Sequence, residues 1–430
     1  MTRRLFYLML LTIPAGRLLS ASLFESATKV ASLTLDQFVL CTLIFLYFYP
    51  HLLHARLPFM EVHLARPILL FAAWSLISLI LNKAEYGLSI GQTAFSALYL
   101  GRWISYALLY FVAYDICKSG DEVKKIVKWL MIGSGLFCAF GLIQAAFLPD
   151  FAFILHPDAT LVDFDPQGHR LVSTFLDPNI AAGYILIFAL LALSFWIHGY
   201  SKWLGIFLLL GGALFATLSR GGVLGFFVGV ALLLGAKKFP RKRALIGVLA
   251  LLLLASVMYP SLKTLIEERQ RISIDDASAL SRIEDWKLAL DIVSSNPLFG
   301  IGFDTLGFIA PRYGIIRESA TAFGFAGDLI TIFVMTGAIG LILYLRICGQ
   351  VINELSRLRD RTRSTWVCAF ARGVQASTIA VLVSSSFTTL LLYPQIMAVL
   401  WVLWALGRRL QEGIDAEVQQ PGLELARAST

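Results

Sequence analysis

The chain is 430 residues long, and 58% of its residues are apolar, 13% aromatic and only 15% charged. This composition is far more apolar than that of an ordinary globular domain and predicts an integral membrane protein. The net charge of +8 does not indicate nucleic acid, because the basic residues cluster in alternate loops, a pattern that reports membrane topology. The predicted partner is therefore the lipid bilayer.

Apolar runs follow one another along the chain. Each has roughly 17 to 25 residues, which is the length that crosses a hydrocarbon core of about 30 Å. The start, "MTRRLFYLMLLTIPAGRLLSAS", resembles a signal peptide, but the continuing pattern favours a first transmembrane helix. Hydropathy predicts an all-α polytopic protein with about twelve spans, near 5–22, 34–53, 66–82, 95–115, 127–148, 179–198, 203–218, 221–236, 244–260, 325–345, 368–391 and 395–408. They form a single transmembrane domain over residues 1–412, and the polar residues 413–430 are predicted to be a disordered cytoplasmic tail.

The densest basic stretches lie at 117–128, 237–243 and 357–363 and just after the last span. All fall on one side if the spans alternate, which predicts a multi-pass membrane protein with both termini in the cytoplasm, and in a bacterial cell such a protein crosses the inner membrane. Two sizeable loops, about 149–178 and 261–324, then face the periplasm. Because ATP and nucleotide sugars are absent there, any chemistry must use a lipid-linked or already activated donor.

The five cysteines lie in or beside apolar runs and lack metal-ligand spacing. We therefore predict no disulfide, no metal site and no cofactor.

The first outer loop ends in "RLVSTFLDPNIAAGY". Asp177 is a good N-cap, Pro178 suits the first helical position, and Asn179 begins a span whose amino end points outward. Such a helix start offers unpaired N–H groups and the positive end of a dipole, and Arg170 lies shortly upstream on the same side. Together these features predict an anion cradle.

The same arrangement recurs in "TLSRGGVLGFF". Ser219 can cap the next span, Arg220 supplies a positive charge, and Gly221 and Gly222 allow close backbone approach. Two arginines beside two outward helix starts are what a diphosphate at the membrane surface needs, since guanidinium binds phosphate oxygens in pairs and stays charged. The alternative is that each arginine reaches lipid headgroups or caps a turn.

The second outer loop contains "ALSRIEDWKLALDIVSSNPLFGIGFDTLGF". Ser281 and Glu284 have capping-box spacing, which predicts a short amphipathic helix on the outer interface that stops at Asn296. Arg282 lies in its first turn, where a cation is unfavourable for the helix itself. It therefore either serves a ligand or pairs with lipid headgroups or nearby carboxylates.

Ionisable residues within spans are costly and usually face protein or a wet cavity, and Arg102, Asp328 and Arg372 are of this kind. Asp328 lies near the outer end of its span, where it is either a general base or the buried partner of an arginine. Of the histidines, His156 and His169 lie in the first outer loop and are able to reach a substrate there.

In order along the chain, the motifs are "RLVSTFLDPNIAAGY", "LSRGG", "SRIEDWKLAL...NPLFGIGFDTL" and "DLITIFVMTGAIGLILYL". This ordered set resembles the bacterial O-antigen ligase and O-antigen polymerase superfamily, which includes exopolysaccharide polymerases and protein O-oligosaccharyltransferases. The resemblance covers roughly residues 165–345.

The resemblance implies a GT-C-like membrane glycosyltransferase that passes a glycan from an undecaprenyl-diphosphate carrier to a periplasmic acceptor hydroxyl, without metal or nucleotide. The acceptor is another glycan, the lipid A core or a protein, and polysaccharide-assembly partners are compatible with this role. Arg170, Arg220 and Arg282 match the family's candidate diphosphate and glycan contacts.

Counting eleven residues back from Gly337 reaches Ala326, where ligases of this family typically carry a His. The departure weakens a ligase and favours a polymerase in which Asp328, ahead of His169, takes the acceptor proton. A family member that has lost catalysis, acting within a polysaccharide-assembly complex, is one alternative. A secondary transporter is another. It should show repeated halves and helices broken at mid-membrane, but the sequence has no convincing internal repeat, and its polar features gather at the outer face.

Overall fold

The structure, a computed structural model, describes residues 1–18, 20–26, 29–53, 63–148, 170–235, 277–313 and 327–419, with single positions 151, 154, 246, 247, 249 and 325. In chain order, its elements are α1 (Thr2–Thr12), β1 (Ser20–Ser26), β2 (Lys29–Thr34), α2 (Leu35–Leu53), α3 (Ala65–Glu85), α4 (Ile90–Ile116), α5 (Gly120–Phe147), α6 (Pro178–Ile197), α7 (Trp203–Ala216), α8 (Arg220–Leu234), α9 (Ala277–Ser295), α10 (Leu306–Ile309), α11 (Asp328–Arg361), α12 (Thr365–Ser384) and α13 (Pro394–Gln419). Short 3₁₀ turns occupy Ile13–Ala15, Ser173–Phe175 and Ala310–Tyr313.

Six of the described helices, α3, α4, α5, α6, α11 and α12, are long and apolar enough to cross a membrane. Their bounds agree with the predicted spans to within a few residues at most ends, and they identify an all-α, multi-pass membrane protein. The shorter α7 and α8 are also apolar. The predicted span at 244–260 lies outside the described residues except at 246, 247 and 249.

Helix α6 is the centre of the fold. Its sequence, "PNIAAGYILIFALLALSFWI", is apolar on every side, and nearly every residue is buried. A helix without a polar face must be surrounded, and α7, α8 and α12 pack around it. The amino end of this buried helix carries the Asp177 cap that the sequence predicts.

The first predicted span, 5–22, is helical only in its first half. Pro14 lies in the 3₁₀ turn after α1, and Gly16 then adopts a φ of 57°, a left-handed conformation that ends the helix. Strands β1 and β2 follow as an antiparallel hairpin with a bulge between Ser22 and Phe24. The prediction of a helix through residue 22 is therefore wrong, and a two-stranded ribbon is added to the otherwise helical fold.

Other element ends also differ from the predictions. Helix α11 continues to Arg361, well beyond the predicted end at residue 345. Its last turns bury an apolar stripe that consists of Ile347, Val351, Leu355 and Leu358. Averaged hydropathy does not detect this stripe, because the other residues of the segment are polar. Helix α13 continues to Gln419, so residues 413–419 of the expected disordered tail are helical. The interfacial helix begins at Ala277, one turn before the predicted cap at Ser281, and ends at Ser295 as expected.

Helix α11 is broken at Gly337, where φ is 66° and ψ is −172°. The segment after α9 inserts into the break, because the N–H groups of Ile301 and Gly302 donate to Val334 O (2.9 Å) and Met335 O (3.0 Å), while Ala338 N–H donates to Pro297 O (2.8 Å). The inserted backbone thus replaces the hydrogen bonds that the helix loses, as burial in apolar surroundings requires. The break fixes the first turns of α11, which begin at Asp328.

The loop at 385–393, between α12 and α13, lies among the amino ends of four helices. The side chain of Leu390 lies against Gly183 of α6, and Phe387 lies against Gly221 of α8. The Asp328 N–H at the start of α11 donates to Ser385 O at 2.7 Å. The loop also leads directly into α13, so the starts of α6, α8, α11 and α13 converge at this end of the bundle.

Candidate functional site

The helix starts of α6 and α8 are joined by a side-chain hydrogen bond. The Ser219 hydroxyl caps α8 by accepting from Gly222 N–H (3.3 Å) and donates to Asn179 Oδ1 (2.9 Å). Ser219 is buried, with 1% of its surface exposed. The two positive helix ends that the sequence predicts separately are therefore held side by side.

Asp177 already satisfies the first N–H groups of α6. Its Oδ1 accepts from Asn179 N–H (2.7 Å) and Ile180 N–H (3.1 Å), and Pro178 has no N–H to offer. These donors are consequently unavailable to a ligand. The cap is present as predicted. Because it occupies the donors of α6, the positive groups that remain for a ligand are the start of α8 and the arginines.

The glycines of α8 bring helices together. A Cβ on Gly222 would lie 2.6 Å from Ala182 Cβ on α6, and one on Gly225 would lie 2.7 Å from Ala380 O on α12. Gly221 is less confined, since its nearest neighbour is Phe387 Cβ at 3.4 Å. The close backbone approach predicted here is thus between helices, and it sets the spacing of the two helix starts.

Arg170 lies against the end of α7, which leads into the same turn. Its Nε donates to Thr217 O at 2.9 Å, and Leu171 N–H donates to Ala216 O at 3.0 Å. The side chain is largely buried, with 7% of the residue exposed. The interaction suits a cation at a helix carboxyl end. Arg170 therefore lies beside the turn that leads through Ser219 into Arg220.

Gln144 of α5 fixes the Arg170 segment, although sequence reasoning missed it. Its Oε1 accepts from Val172 N–H (3.1 Å) and Ser173 N–H (3.2 Å), and its Nε2 donates to Arg170 O (3.4 Å). Gln144 is fully buried. A lone amide inside an apolar span was the available signal, since buried polar groups are held in place by partners.

Arg220 is the exposed member of the arginine pair. It is the first residue of α8, directly after the Ser219 cap, at the positive end of that helix. The structure thus brings Arg170 and Arg220 to one turn at the convergence of the helix starts. An arginine at a helix amino end, with a second arginine bound to the preceding turn, is suited to a phosphate-bearing ligand.

Asp328 has a different environment from the one expected of a general base. Its carboxylate accepts from the N–H groups of Leu390 (2.5 Å), Leu391 (2.6 Å) and Leu392 (3.3 Å), and the residue is fully buried. Among the described residues, the partners of Asp328 are backbone groups of the 385–393 loop, and no arginine there pairs with it in the way that one alternative held. This geometry favours an anchor for the loop, and the role of base remains an untested prediction.

The interfacial helix α9 lies on the same group of elements. The rings of Trp286 and Phe387 have centroids 6.2 Å apart, so α9 reaches the loop that lies beside Gly221. Arg282 is one turn upstream of Trp286 within α9, but its side chain lies outside the described part of the structure. His156, His169 and Ala326 also lie outside the described residues.

A comparison with protein-family models matches residues 205–345 to the O-antigen ligase family. A search of curated proteins found no match. The matched segment includes Arg220, Arg282 and Asp328, the inserted loop and the Gly337 break, whereas Arg170 and Asp177 precede it. The match supports the resemblance of residues 205–345 to the O-antigen ligase and O-antigen polymerase superfamily.

Proposed function

We propose that this protein is a membrane glycosyltransferase that moves a glycan from an undecaprenyl-diphosphate carrier to an acceptor hydroxyl on the periplasmic side of the bacterial inner membrane. The observation that carries the proposal is the meeting of Arg170 and Arg220 at one turn, beside two helix starts joined by the Ser219–Asn179 hydrogen bond. Ala326 at the position of the ligase His favours a polymerase, with another glycan as acceptor. The lipid A core is the acceptor in the ligase alternative.

The chemistry places negative charge where the guanidinium groups lie. The acceptor oxygen forms a bond to the anomeric carbon while the bond from that carbon to the diphosphate oxygen breaks, and the electron pair stays with the departing diphosphate. Arg170, Arg220 and the N–H groups at the start of α8 then bind the more strongly charged transition state better than the ground state. Ser219, Gly221, Asp177 and Asn179 hold these donors in place. No metal ion is needed for this stabilisation.

The acceptor hydroxyl must also lose a proton. Asp328 and His169 are the candidates from the sequence. Asp328 has the weaker claim, because three backbone N–H groups occupy its buried carboxylate. His169 directly precedes Arg170 in the chain and is the stronger candidate. Arg282 is expected to bind the glycan or the diphosphate, because it belongs to α9, whose Trp286 contacts Phe387 of the 385–393 loop.

The proposed topology has about twelve spans in a GT-C-like arrangement, with both termini in the cytoplasm. Helices α1, α2, α7, α8 and α13 supplement the six longer apolar helices, and the remaining predicted span is 244–260.

The test is transfer by purified protein in phosphatidylcholine nanodiscs, supplied with lipid-linked oligosaccharide extracted from cells that make this protein. We expect longer glycans on the lipid carrier with the wild type and loss of elongation with Arg220→Gln. Arg363→Gln, which alters an exposed arginine between α11 and α12, is the matched control. Removal of one charge-assisted contact to the transition state should cost about 2–4 kcal/mol, or roughly 30- to 1,000-fold in rate.

Equal elongation by the wild type, Arg220→Gln and Arg363→Gln would contradict the proposed role of Arg220. If the folded wild type binds the lipid-linked oligosaccharide but neither elongates nor transfers it, the non-catalytic alternative is supported instead.

A further inference from the structure

A second polar cluster lies around Tyr393, at the end of the 385–393 loop, and the donor site does not use it. Its central residue is Arg102, about 18 Å along α4 from the first residue of that helix. The Arg102 Nε is buried and has no hydrogen-bond partner, and the guanidinium carbon lies 5.7 Å from the centroid of the Tyr99 ring. Within the described part of the chain, Arg102 forms no ion pair. An arginine within a span is costly unless it faces protein, a wet cavity or a ligand, so Arg102 is a candidate for ligand binding where other recognition groups lie beside it.

Arg17 belongs to the same cluster. Its guanidinium carbon lies 5.9 Å from the centroid of the Tyr393 ring. The charges of Arg17 and Arg102 both act on Tyr99 and on Tyr393, so the two arginines and the two rings share one locality. Both arginines and Tyr99 are only partly buried.

Carboxylates surround this cluster and balance its charge. The Asp36 carboxylate accepts from Tyr106 Oη (2.6 Å) and Gln395 Nε2 (3.0 Å), and its charge acts on Tyr393 together with that of Asp177. Asp304, 4% exposed, acts on Tyr99. It adopts a φ of 56°, a left-handed conformation that is uncommon outside glycine and is retained most often at functional sites.

The balance of charge decides the class of ligand. Two guanidinium groups among three carboxylates do not create the net positive field that an isolated phosphate would need. They do offer charged donors and acceptors for neutral hydroxyl groups, beside two aromatic rings. A sugar ring has this combination of properties, because it presents vicinal hydroxyls at its edge and C–H groups on its face.

The position of the cluster relates it to transfer. Tyr393 lies 6.0 Å, between ring centroids, from Phe175, which precedes the Asp177 cap of α6. On the other side of this helix start, Asn179 is bonded to Ser219, next to Arg220. Tyr99 and Arg102 belong to α4, and Tyr393 directly precedes α13, whereas Arg170 contacts the end of α7 and Arg220 begins α8. Displacement at the anomeric carbon requires the attacking oxygen to approach opposite the departing diphosphate, so an acceptor belongs on a side separate from the donor phosphates.

We infer that Arg17, Tyr99, Arg102, Asp304 and Tyr393 form the subsite that binds the sugar at the end of the acceptor glycan. This inference rests on the proposed function and specifies its acceptor as a saccharide recognised directly by the protein. Arg102 binds hydroxyl groups of the acceptor, and the Tyr99 and Tyr393 rings pack against its apolar faces.

The test separates glycan binding from diphosphate binding in nanodiscs of phosphatidylcholine. One probe is the free oligosaccharide released from the cells' own lipid-linked fraction, and the other is undecaprenyl diphosphate without a glycan. Arg102→Gln should weaken oligosaccharide binding about 10- to 100-fold and leave undecaprenyl diphosphate binding unchanged. Arg220→Gln should have the opposite pattern. Arg372→Gln, which alters another helix arginine whose buried Nε has no partner, is the matched control and should change neither.

Arg102→Lys keeps the charge and should retain part of the oligosaccharide binding, which guards against a variant that fails to fold. In the transfer assay, Arg102→Gln should raise the acceptor concentration for half-maximal rate and leave that of the donor unchanged. Unchanged oligosaccharide binding by folded Arg102→Gln overturns the inference, and so does weakened binding of undecaprenyl diphosphate, since the cluster would then bind an anion. If only the Arg220→Gln result differs from expectation, so that binding of undecaprenyl diphosphate is unchanged, the proposed donor site is contradicted and the inferred glycan subsite still stands.

Discussion

The break in α11 makes a quantitative prediction at Gly337. A Cβ at this position would lie 2.2 Å from Leu298 O, 2.3 Å from Leu298 C and 2.6 Å from Phe299 N. All three atoms belong to the backbone, so no side-chain rotation relieves the contact. Gly337→Ala must therefore displace the inserted loop or close the break, and either change alters the position of the first turns of α11.

The size of the effect follows from two contributions. An alanine at a φ of 66° and a ψ of −172°, a conformation that is essentially confined to glycine, costs about 1–3 kcal/mol. Displacement of the loop weakens the hydrogen bonds from Ile301 to Val334, from Gly302 to Met335 and from Ala338 to Pro297, at about 0.5–1.5 kcal/mol each. We expect the free energy of unfolding to fall by about 3–7 kcal/mol.

The measurement is thermal unfolding of the purified protein in detergent, followed by tryptophan fluorescence and by the fraction that elutes as a single species. Gly349→Ala is the matched control, because Gly349 lies in the same helix and a Cβ there has no neighbour within 4 Å. Alanine at this helical position should be neutral or stabilising by up to about 1 kcal/mol. Gly300→Ala should resemble Gly337→Ala, since its Cβ would lie 2.4 Å from Val334 O.

The two destabilising changes act on one contact, so the double variant should be less destabilised than the sum of the single variants. If Gly337→Ala unfolds at the same temperature as Gly349→Ala, the inserted loop does not depend on the absence of a Cβ, and the account of the break is wrong.

Further predictions concern the site. Asp328→Asn leaves one carbonyl oxygen for three backbone donors. We therefore expect the free energy of unfolding to fall by about 1–3 kcal/mol, while the folded fraction retains transfer. Normal stability with abolished transfer would support the role of Asp328 as a base. Gly222→Ala should push α8 away from α6 and lower the transfer rate, whereas Gly205→Ala, with no neighbour within 4 Å of its Cβ, should not; equal rates would show that the helix spacing is unimportant. In a double-mutant cycle on thermal unfolding, Ser219→Ala and Asn179→Ala should show a coupling of about 0.5–1.5 kcal/mol, and zero coupling would refute the bond between the helix starts.

The two helix caps show how far local sequence determines local structure. Asp177 and Ser219 cap α6 and α8 as predicted, because a cap depends only on a side chain and the N–H groups two or three residues later. The apolar length of the helices likewise predicts a membrane protein, since a span needs only enough apolar residues in sequence.

Which groups these side chains contact could not be predicted from the sequence, because the contacts involve residues that are distant in the chain. Asp177 satisfies donors that sequence reasoning assigned to a ligand, and the carboxylate of Asp328 meets backbone groups 62 to 64 residues later. No sequence motif marks Gln144 or Arg17, because the role of each residue depends on its contacts with other elements.

By itself, the sequence determined the membrane class, the approximate position of most helices, the caps and the family resemblance of residues 205–345, because each of these is encoded in contiguous residues. Only the tertiary structure decided that the starts of α6 and α8 are bonded together, that a distant loop fills the break at Gly337, and that Arg17, Tyr99 and Arg102 lie near Tyr393. The physical reason is that these arrangements are set by contacts between separate helices. A hydrogen bond or a steric limit between such elements has no signature in either segment alone.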